Sequence, residues 1–150
     1  MQTWSNLNHL QVGAYSEYFA KMSLVRAGFD VFSAEVDDKG IDFVIREDAD
    51  VPAYYDVQVK SIRLEKSDYV FMTKDKFPLI PNRLLVLVLL SEGNEPEMFV
   101  FPATVWLNPA KPFVDYDYES KASKPEYGLR LSRKNLPAIE PYRFEGRLPA

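Results

Sequence analysis

Gly40-Ile41-Asp42-Phe43-Val44-Ile45-Arg46 and, after a polar connection, Tyr54-Tyr55-Asp56-Val57-Gln58-Val59-Lys60-Ser61-Ile62 decide how this chain is read. Both stretches are rich in β-branched and aromatic residues, the composition of half-buried strands. Asp37-Asp38-Lys39-Gly40 before the first is turn chemistry, and Glu47 to Pro52 is the polar connection, so an antiparallel hairpin is expected. Strand side chains alternate between faces. Asp56, Gln58 and Lys60 therefore share one face and Val57 and Val59 the other. Asp42 and Val44 share a face, opposite Ile41, Phe43 and Ile45. A lysine on a strand that hides alternate aliphatics needs a charge partner, and Asp42 is the candidate.

Working outward, Leu7 to Ala27 reads as the first helix, with Asn6 or Asn8 as its cap and Gly28 as its stop. Ala14, Tyr18, Met22 and Val25 follow helical spacing and predict the buried stripe. Glu17 lies one position off it, among the small residues Gly13, Ser16 and Ala20, which would let the helix approach a sheet or a substrate closely. Phe29 to Ala34 and Asp68 to Thr73 read as further strands. Lys74 to Asn82, broken by Pro78 and Pro81, reads as a loop or a single helical turn. Leu84 to Leu90 is continuously apolar, as in a central strand covered on both faces. Met98 to Pro102 is the next strand, and Ala103 to Leu107 is a short helix or strand end. From Asn108 onward six prolines break any long element, while Phe113, Tyr116, Tyr118, Tyr127, Tyr142 and Phe144 supply anchors. One domain over residues 1–150 is expected: a core of about 7–107 and a 108–150 arm packed on it, carrying a short strand at Gly128 to Leu131.

The chain has 150 residues, enough for a real core. It has no cysteine, which excludes disulfides and thiolate metal sites. No apolar run approaches the roughly 18 residues that cross a bilayer. Met1 to Leu10 carries no basic-then-apolar pattern, so a cytoplasmic protein is expected. The net charge of −4 argues against indiscriminate nucleic-acid binding, which draws on a basic surface. The distribution is bipolar, however. Acids such as Asp37, Asp38, Glu47, Asp48 and Asp50 crowd the first half. After Tyr118, Lys121, Lys124, Arg130, Arg133, Lys134, Arg143 and Arg147 outnumber Glu119, Glu126, Glu140 and Glu145.

The chemistry rests on Glu17, Asp42, Gln58 and Lys60. Two acids, an amide carbonyl and a lysine, delivered from a helix and two strands, suit a divalent cation held beside a phosphodiester. Carboxylates attract a hard cation through oxygen, and an ammonium stabilises developing negative charge. Each residue also has a plain reading: Glu17 as a solvated helix residue, Asp42 as a turn end, Gln58 and Lys60 as an exposed strand face. Asp56 offers a further carboxylate on the Gln58 face. A single histidine, His9, excludes a two-histidine zinc site and disfavours a His-dependent triad. Trp4, Trp106, Tyr54 and Tyr55 could stack on bases, against a plain reading as packing aromatics. No Gly-rich phosphate loop, nucleophile elbow or dinucleotide fingerprint is present.

Gly13-Ala14-Tyr15-Ser16-Glu17, Gly28-Phe29-Asp30-Val31, Gly40-Ile41-Asp42-Phe43-Val44 and Asp56-Val57-Gln58-Val59-Lys60-Ser61, in that order, resemble the PD-(D/E)xK, or restriction-endonuclease-like, superfamily. The resemblance spans Leu10 to Arg63. It implies an α/β fold with a restriction-endonuclease-like core, a mixed four- to five-stranded sheet flanked by helices. It also implies a Mg²⁺- or Mn²⁺-dependent nuclease hydrolysing phosphodiester bonds of nucleic acid, DNA foremost. Glu17, Asp42 and Gln58 would hold the metal, and Lys60 would orient water or stabilise the phosphorus centre. The family's usual signature has Glu or Asp where this chain has Gln58, one negative charge fewer. The alternative is a nuclease scaffold without turnover that binds nucleic acid or protein. A homodimer clasped by the Pro-rich tail would suit cleavage of both strands of a duplex.

Overall fold

The computed structural model describes residues 3–118 and 122–149. Glu119 and Lys121, counted above among the C-terminal charges, lie outside the described residues. The first element is helix α1 (His9–Arg26). Asn8 caps it: its side chain accepts from the Gln11 N–H while the Gln11 side chain accepts from the Asn8 N–H, each at 2.9 Å. Gly28, at φ +100°, turns the chain out of the helix.

Strands β1 (Asp30–Ser33), β2 (Phe43–Glu47), β3 (Ala53–Arg63), β5 (Arg83–Leu90) and β6 (Glu97–Pro102) build a five-stranded sheet in the order β1-β2-β3-β5-β6. The β2–β3 hairpin is antiparallel, with Phe43 opposite Val57 and Val44 opposite Asp56. β3 and β5 run parallel from Asp56↔Arg83 to Arg63↔Leu90, which makes the sheet mixed. β5 is buried along its whole length, the central strand its composition predicts.

Strand β4 (Tyr69–Thr73) leaves this sheet. With β7 (Phe113–Tyr116) and β8 (Glu126–Arg130) it forms a second, three-stranded sheet in the order β4-β8-β7. The C-terminal segment thus supplies two strands where the sequence predicted one. Its side chains Phe113, Leu129, Leu131 and Ile139 are buried within the same chain.

The result is three layers. On one side of the five-stranded sheet, Phe43, Ile45, Val57, Val86 and Val88 meet Ala20 and Leu24 of α1. On the other, Ile62, Leu85, Leu87 and Leu89 meet Val70, Met72 and Leu129 of the second sheet. Gln58 and Lys60 share the parity of Ile62 and face this second layer. Arg63, at the end of β3, donates to the carbonyls of Trp4 (3.2 Å) and Leu7 (2.9 Å), tying the start of α1 to the strand that carries Gln58 and Lys60.

One expectation is reversed. The buried stripe of α1 is Val12, Ser16, Ala20 and Leu24, whereas Tyr18 (64% exposed), Met22 (62%) and Val25 (57%) face outward together with Leu10 and Ala14. Both stripes have helical spacing. The one with Ser16 and Ala20 lets the helix axis approach β3 and β5, and close packing decides the orientation. Among the described residues no helix is long and apolar enough to cross a membrane.

Candidate active site

β2 stops short while β3 continues, and the site is built on that mismatch. Asp42 immediately precedes β2, and its N–H still donates to the Val57 carbonyl at 2.8 Å. The next edge donor of β3, the Val59 N–H, is taken by the Asp42 carboxylate at 2.7 Å. The side chain thus replaces the missing strand residue and is held at the sheet edge. Gly40, at φ +70°, makes the reversal just before it. The Arg83 guanidinium, buried at the start of β5, donates to the carbonyls of Gly40 (2.7 Å) and Lys76 (2.9 Å). This fixes the turn from below.

Asp42 sits between two small clefts. One, of about 320 Å³, lies on the helix side and is lined by His9, Gly13, Glu17, Asp42 and Val59. The other, of about 240 Å³, opens in the seam between the two sheets and is lined by Asp37, Asp38, Gly40, Gln58, Lys60 and Phe71. Glu17 and Asp42 therefore meet in one cleft, and Gln58 and Lys60 in the other. Asp37, in the second cleft, also acts on Asp42, whose pKa it raises. Burial, then the adjacent Asp37 and the Glu17 charge, push the Asp42 carboxyl up to about 6, against the opposing pull of the Val59 N–H.

Lys60 does not pair with Asp42. Its ammonium lies over the Phe71 ring at 6.0 Å from the centroid, and no described residue forms an ion pair with it. Glu17 is met by Lys21 one turn on, at 3.4 Å; the same ammonium contacts the Ser33 hydroxyl at 2.9 Å. Asp56 falls outside both clefts, in a neighbouring one with Arg83, and its charge acts on that guanidinium. Trp4 and Trp106 are buried packing residues. Asp37 and Lys21 were not singled out in the sequence. Lys21 carried a signal, the i, i+4 spacing from Glu17, whereas Asp37 read only as a turn residue.

Whether a metal suits these residues is decided by Gln58. Its side-chain oxygen is buried and accepts no hydrogen bond from any described residue, an acceptor that costs stability unless something fills its lone pairs. Among the described residues no three His, Cys, Asp or Glu side chains converge as a ready-made cage. Mg²⁺ does not require one: it keeps several waters and binds through one or two carboxylates. Glu17 and Asp42 supply two carboxylates in one cleft, and Gln58 lines the other; by chemistry these oxygen donors suit Mg²⁺.

No protein-family model and no curated protein matches the sequence. Solved structures do. Hjc, a Holliday junction resolvase from the archaeal hyperthermophile Archaeoglobus fulgidus, superposes with a TM-score of 0.51 at 14% identity, over 89% of this chain and 91% of its own. A bacterial homing endonuclease also gives 0.51, at 20% identity, over 91% of this chain and 87% of its own. The chain has a restriction-endonuclease-like fold. The mixed sheet with α1 across it, expected from the four sequence motifs, is therefore the architecture found.

Proposed function

We propose that this protein is a metal-dependent nuclease hydrolysing phosphodiester bonds of nucleic acid, with DNA as the first substrate to test. One observation supports the reading above the others: Gln58, whose side-chain oxygen is buried without a hydrogen-bond partner among the described residues, lines the same cleft as Lys60 and Asp37, and the Asp37 and Glu17 charges both act on Asp42. The fold, shared with a Holliday junction resolvase and a homing endonuclease, supports it.

Glu17, Asp42 and Gln58 would hold Mg²⁺ or Mn²⁺, which when bound supplies Lewis acidity to a phosphoryl oxygen. The remaining work falls to the chain itself. Asp42 is oriented by the Val59 N–H and cannot swing away from the sheet edge. Lys60, free of an ion pair among the described residues, offers its charge to the oxygens of the phosphorus centre, where electrostatic stabilisation is worth most. Lys21 neutralises Glu17 until the site is loaded. The test is cleavage of plasmid and single-stranded DNA with Mg²⁺ or Mn²⁺, abolished by Asp42→Ala and by Lys60→Ala. Identical traces for wild type and both variants would refute it.

A scaffold without turnover is the second reading, favoured by the neutral Gln58 and by the Lys21 charge already on Glu17. Calorimetry decides between them: no heat of Mg²⁺ or Mn²⁺ binding at millimolar concentration, with nucleic acid still bound, selects the binding module. A homodimer belongs to the first reading. The exposed stripe Leu10, Tyr18, Met22 and Val25 borders Glu17, and a second copy covering it would set two sites side by side. Tyr18→Glu with Met22→Glu should then convert a dimer to a monomer on size exclusion, and an unchanged elution removes that interface.

A further inference from the structure

The outer face of the second sheet carries a row of aromatic rings that the site chemistry leaves unused. Tyr69 and Phe71 stand on β4 opposite the buried Val70 and Met72, with ring centroids 6.1 Å apart and planes nearly parallel. Tyr116 of β7 follows at 6.4 Å from Tyr69, and Tyr118 at 5.9 Å from Tyr116. Phe71 is 46% and Tyr118 43% exposed. The row is held in place. The Tyr69 hydroxyl bonds the buried Glu126 carboxylate. Gly128 of β8 leaves room for the phenol, since a Cβ there would overlap the Tyr69 ring. The Arg130 guanidinium lies 4.3 Å from the centre of the same ring.

One end of the row is the proposed active site. Phe71 lines the cleft of Gln58 and Lys60, beneath the Lys60 ammonium. The other end runs into a groove of about 310 Å³ lined by Tyr116, Arg130 and Lys111. Exposed rings at Phe71 and Tyr118, cations at both ends and continuity with a phosphodiester site match one kind of occupant. Base–aromatic stacking needs unpaired bases, because in a duplex the base faces already cover one another. Of the acids along the row, Glu126 bonds Tyr69, Asp68 pairs with Arg130, and Asp115 and Asp117 pair with Lys74; Asp37 and Asp38 stand at the Lys60 end. With a net charge of −4, affinity here comes more from stacking than from phosphate neutralisation, so its salt dependence is shallow.

We propose that this aromatic row is a track for a single-stranded segment of the nucleic-acid substrate, leading its unpaired bases to the Lys60 cleft. The proposal rests on the nuclease reading for the link to cleavage, but binding is measured apart from it. Fluorescence anisotropy in EDTA, with labelled oligothymidylate and oligouridylate, should show single-strand binding by the wild type. Phe71→Ala and Tyr116→Ala should each weaken it roughly 5- to 100-fold. Phe71→Trp should retain binding, and its exposed indole should be quenched on titration, a signal that the buried Trp4 and Trp106 cannot give. Preference for either sugar sustains the track and assigns DNA or RNA. Wild-type affinity in folded Phe71→Ala and Tyr116→Ala, or wild-type binding to duplex with none to single strands, overturns it. Cleavage without single-strand binding leaves the nuclease and removes the track. Ring-dependent binding without cleavage under any divalent metal does the reverse.

Discussion

The Asp42 carboxylate accepts the Val59 N–H at 2.7 Å, so an acid at the end of one strand completes the hydrogen bonding of its neighbour. Burial first, then the Asp37 and Glu17 charges, outweigh that bond and raise the carboxyl to about 6. The folded protein therefore takes up a proton that the unfolded chain, with an ordinary carboxyl near 4, does not. Stability from this group is fully present below the unfolded value and is lost as pH rises through about 6. Asp42→Asn keeps the acceptor oxygen and removes the charge. Urea denaturation of the metal-free protein at pH 7.5 should show the variant more stable by about 1–3 kcal/mol, with the gain vanishing near pH 4. Cleavage should be lost at every pH. A variant less stable than wild type at pH 7.5 would show that neither burial nor the neighbouring acids disfavour the Asp42 charge.

Much of this arrangement was legible in the residues. Alternation of Phe43, Ile45, Val57 and Val59 predicted the hairpin and the common face of Gln58 and Lys60, because a one-residue slip would expose the whole aliphatic set. The unbroken Leu84–Leu90 run predicted the central strand. The orientation of α1 was not legible. The stripe of larger side chains, Ala14-Tyr18-Met22-Val25, lost to one containing Ser16 and Ala20, and spacing alone does not report how closely a helix must pack. The partner of Lys60 was also misjudged. Phe71 belongs to β4, and only the departure of β4 into a second sheet brings its ring under that ammonium. Asp37 read as turn chemistry because its approach to Asp42 depends on the reversal at Gly40.

Gln58 separates the cost of an orphaned acceptor from its use. Gln58→Leu removes a buried oxygen that no described residue satisfies, which should stabilise the metal-free protein by about 1 kcal/mol. It should also abolish Mn²⁺ binding in calorimetry. Gln58→Glu restores a third carboxylate and should tighten Mn²⁺ about tenfold or more, through added charge at oxygen ligands. Equal Mn²⁺ affinity in wild type and both variants would exclude Gln58 as a ligand.

Lys60 should act on the reaction and not on the fold. Its ammonium forms no ion pair among the described residues and rests over Phe71, so Lys60→Met should change the thermal midpoint little. Loss of a group aimed at the developing charge typically lowers turnover by about 10²–10³. Single-turnover cleavage with saturating Mn²⁺ should show a fall of that order. A rate within a few-fold of wild type would move the charge-stabilising role to another cation.

Arg83 offers the test of whether the turn beneath Asp42 must be held. Its guanidinium is buried, donates to the Gly40 and Lys76 carbonyls, and lies over Phe77 at 5.3 Å. Asp56 and Asp42 supply the opposing charge while burial pulls its pKa down. Arg83→Met leaves two carbonyls without a donor and two acids without a cation, at a cost of about 2–4 kcal/mol. Gly40→Ala disturbs the same junction from the other side. A Cβ there would sit 3.3 Å from both the Arg83 Nη2 and the Lys76 carbonyl oxygen, at a φ of +70° that β-carbon-bearing residues disfavour. It should cost about 1–2 kcal/mol and lower metal affinity, while Arg83→Lys falls between wild type and Arg83→Met in both properties. Chemical denaturation paired with Mn²⁺ calorimetry distinguishes two causes. If affinity falls in step with stability across the three variants, the clamp positions Asp42. If stability falls while affinity stays constant, the Val59 N–H alone is sufficient to hold the carboxylate.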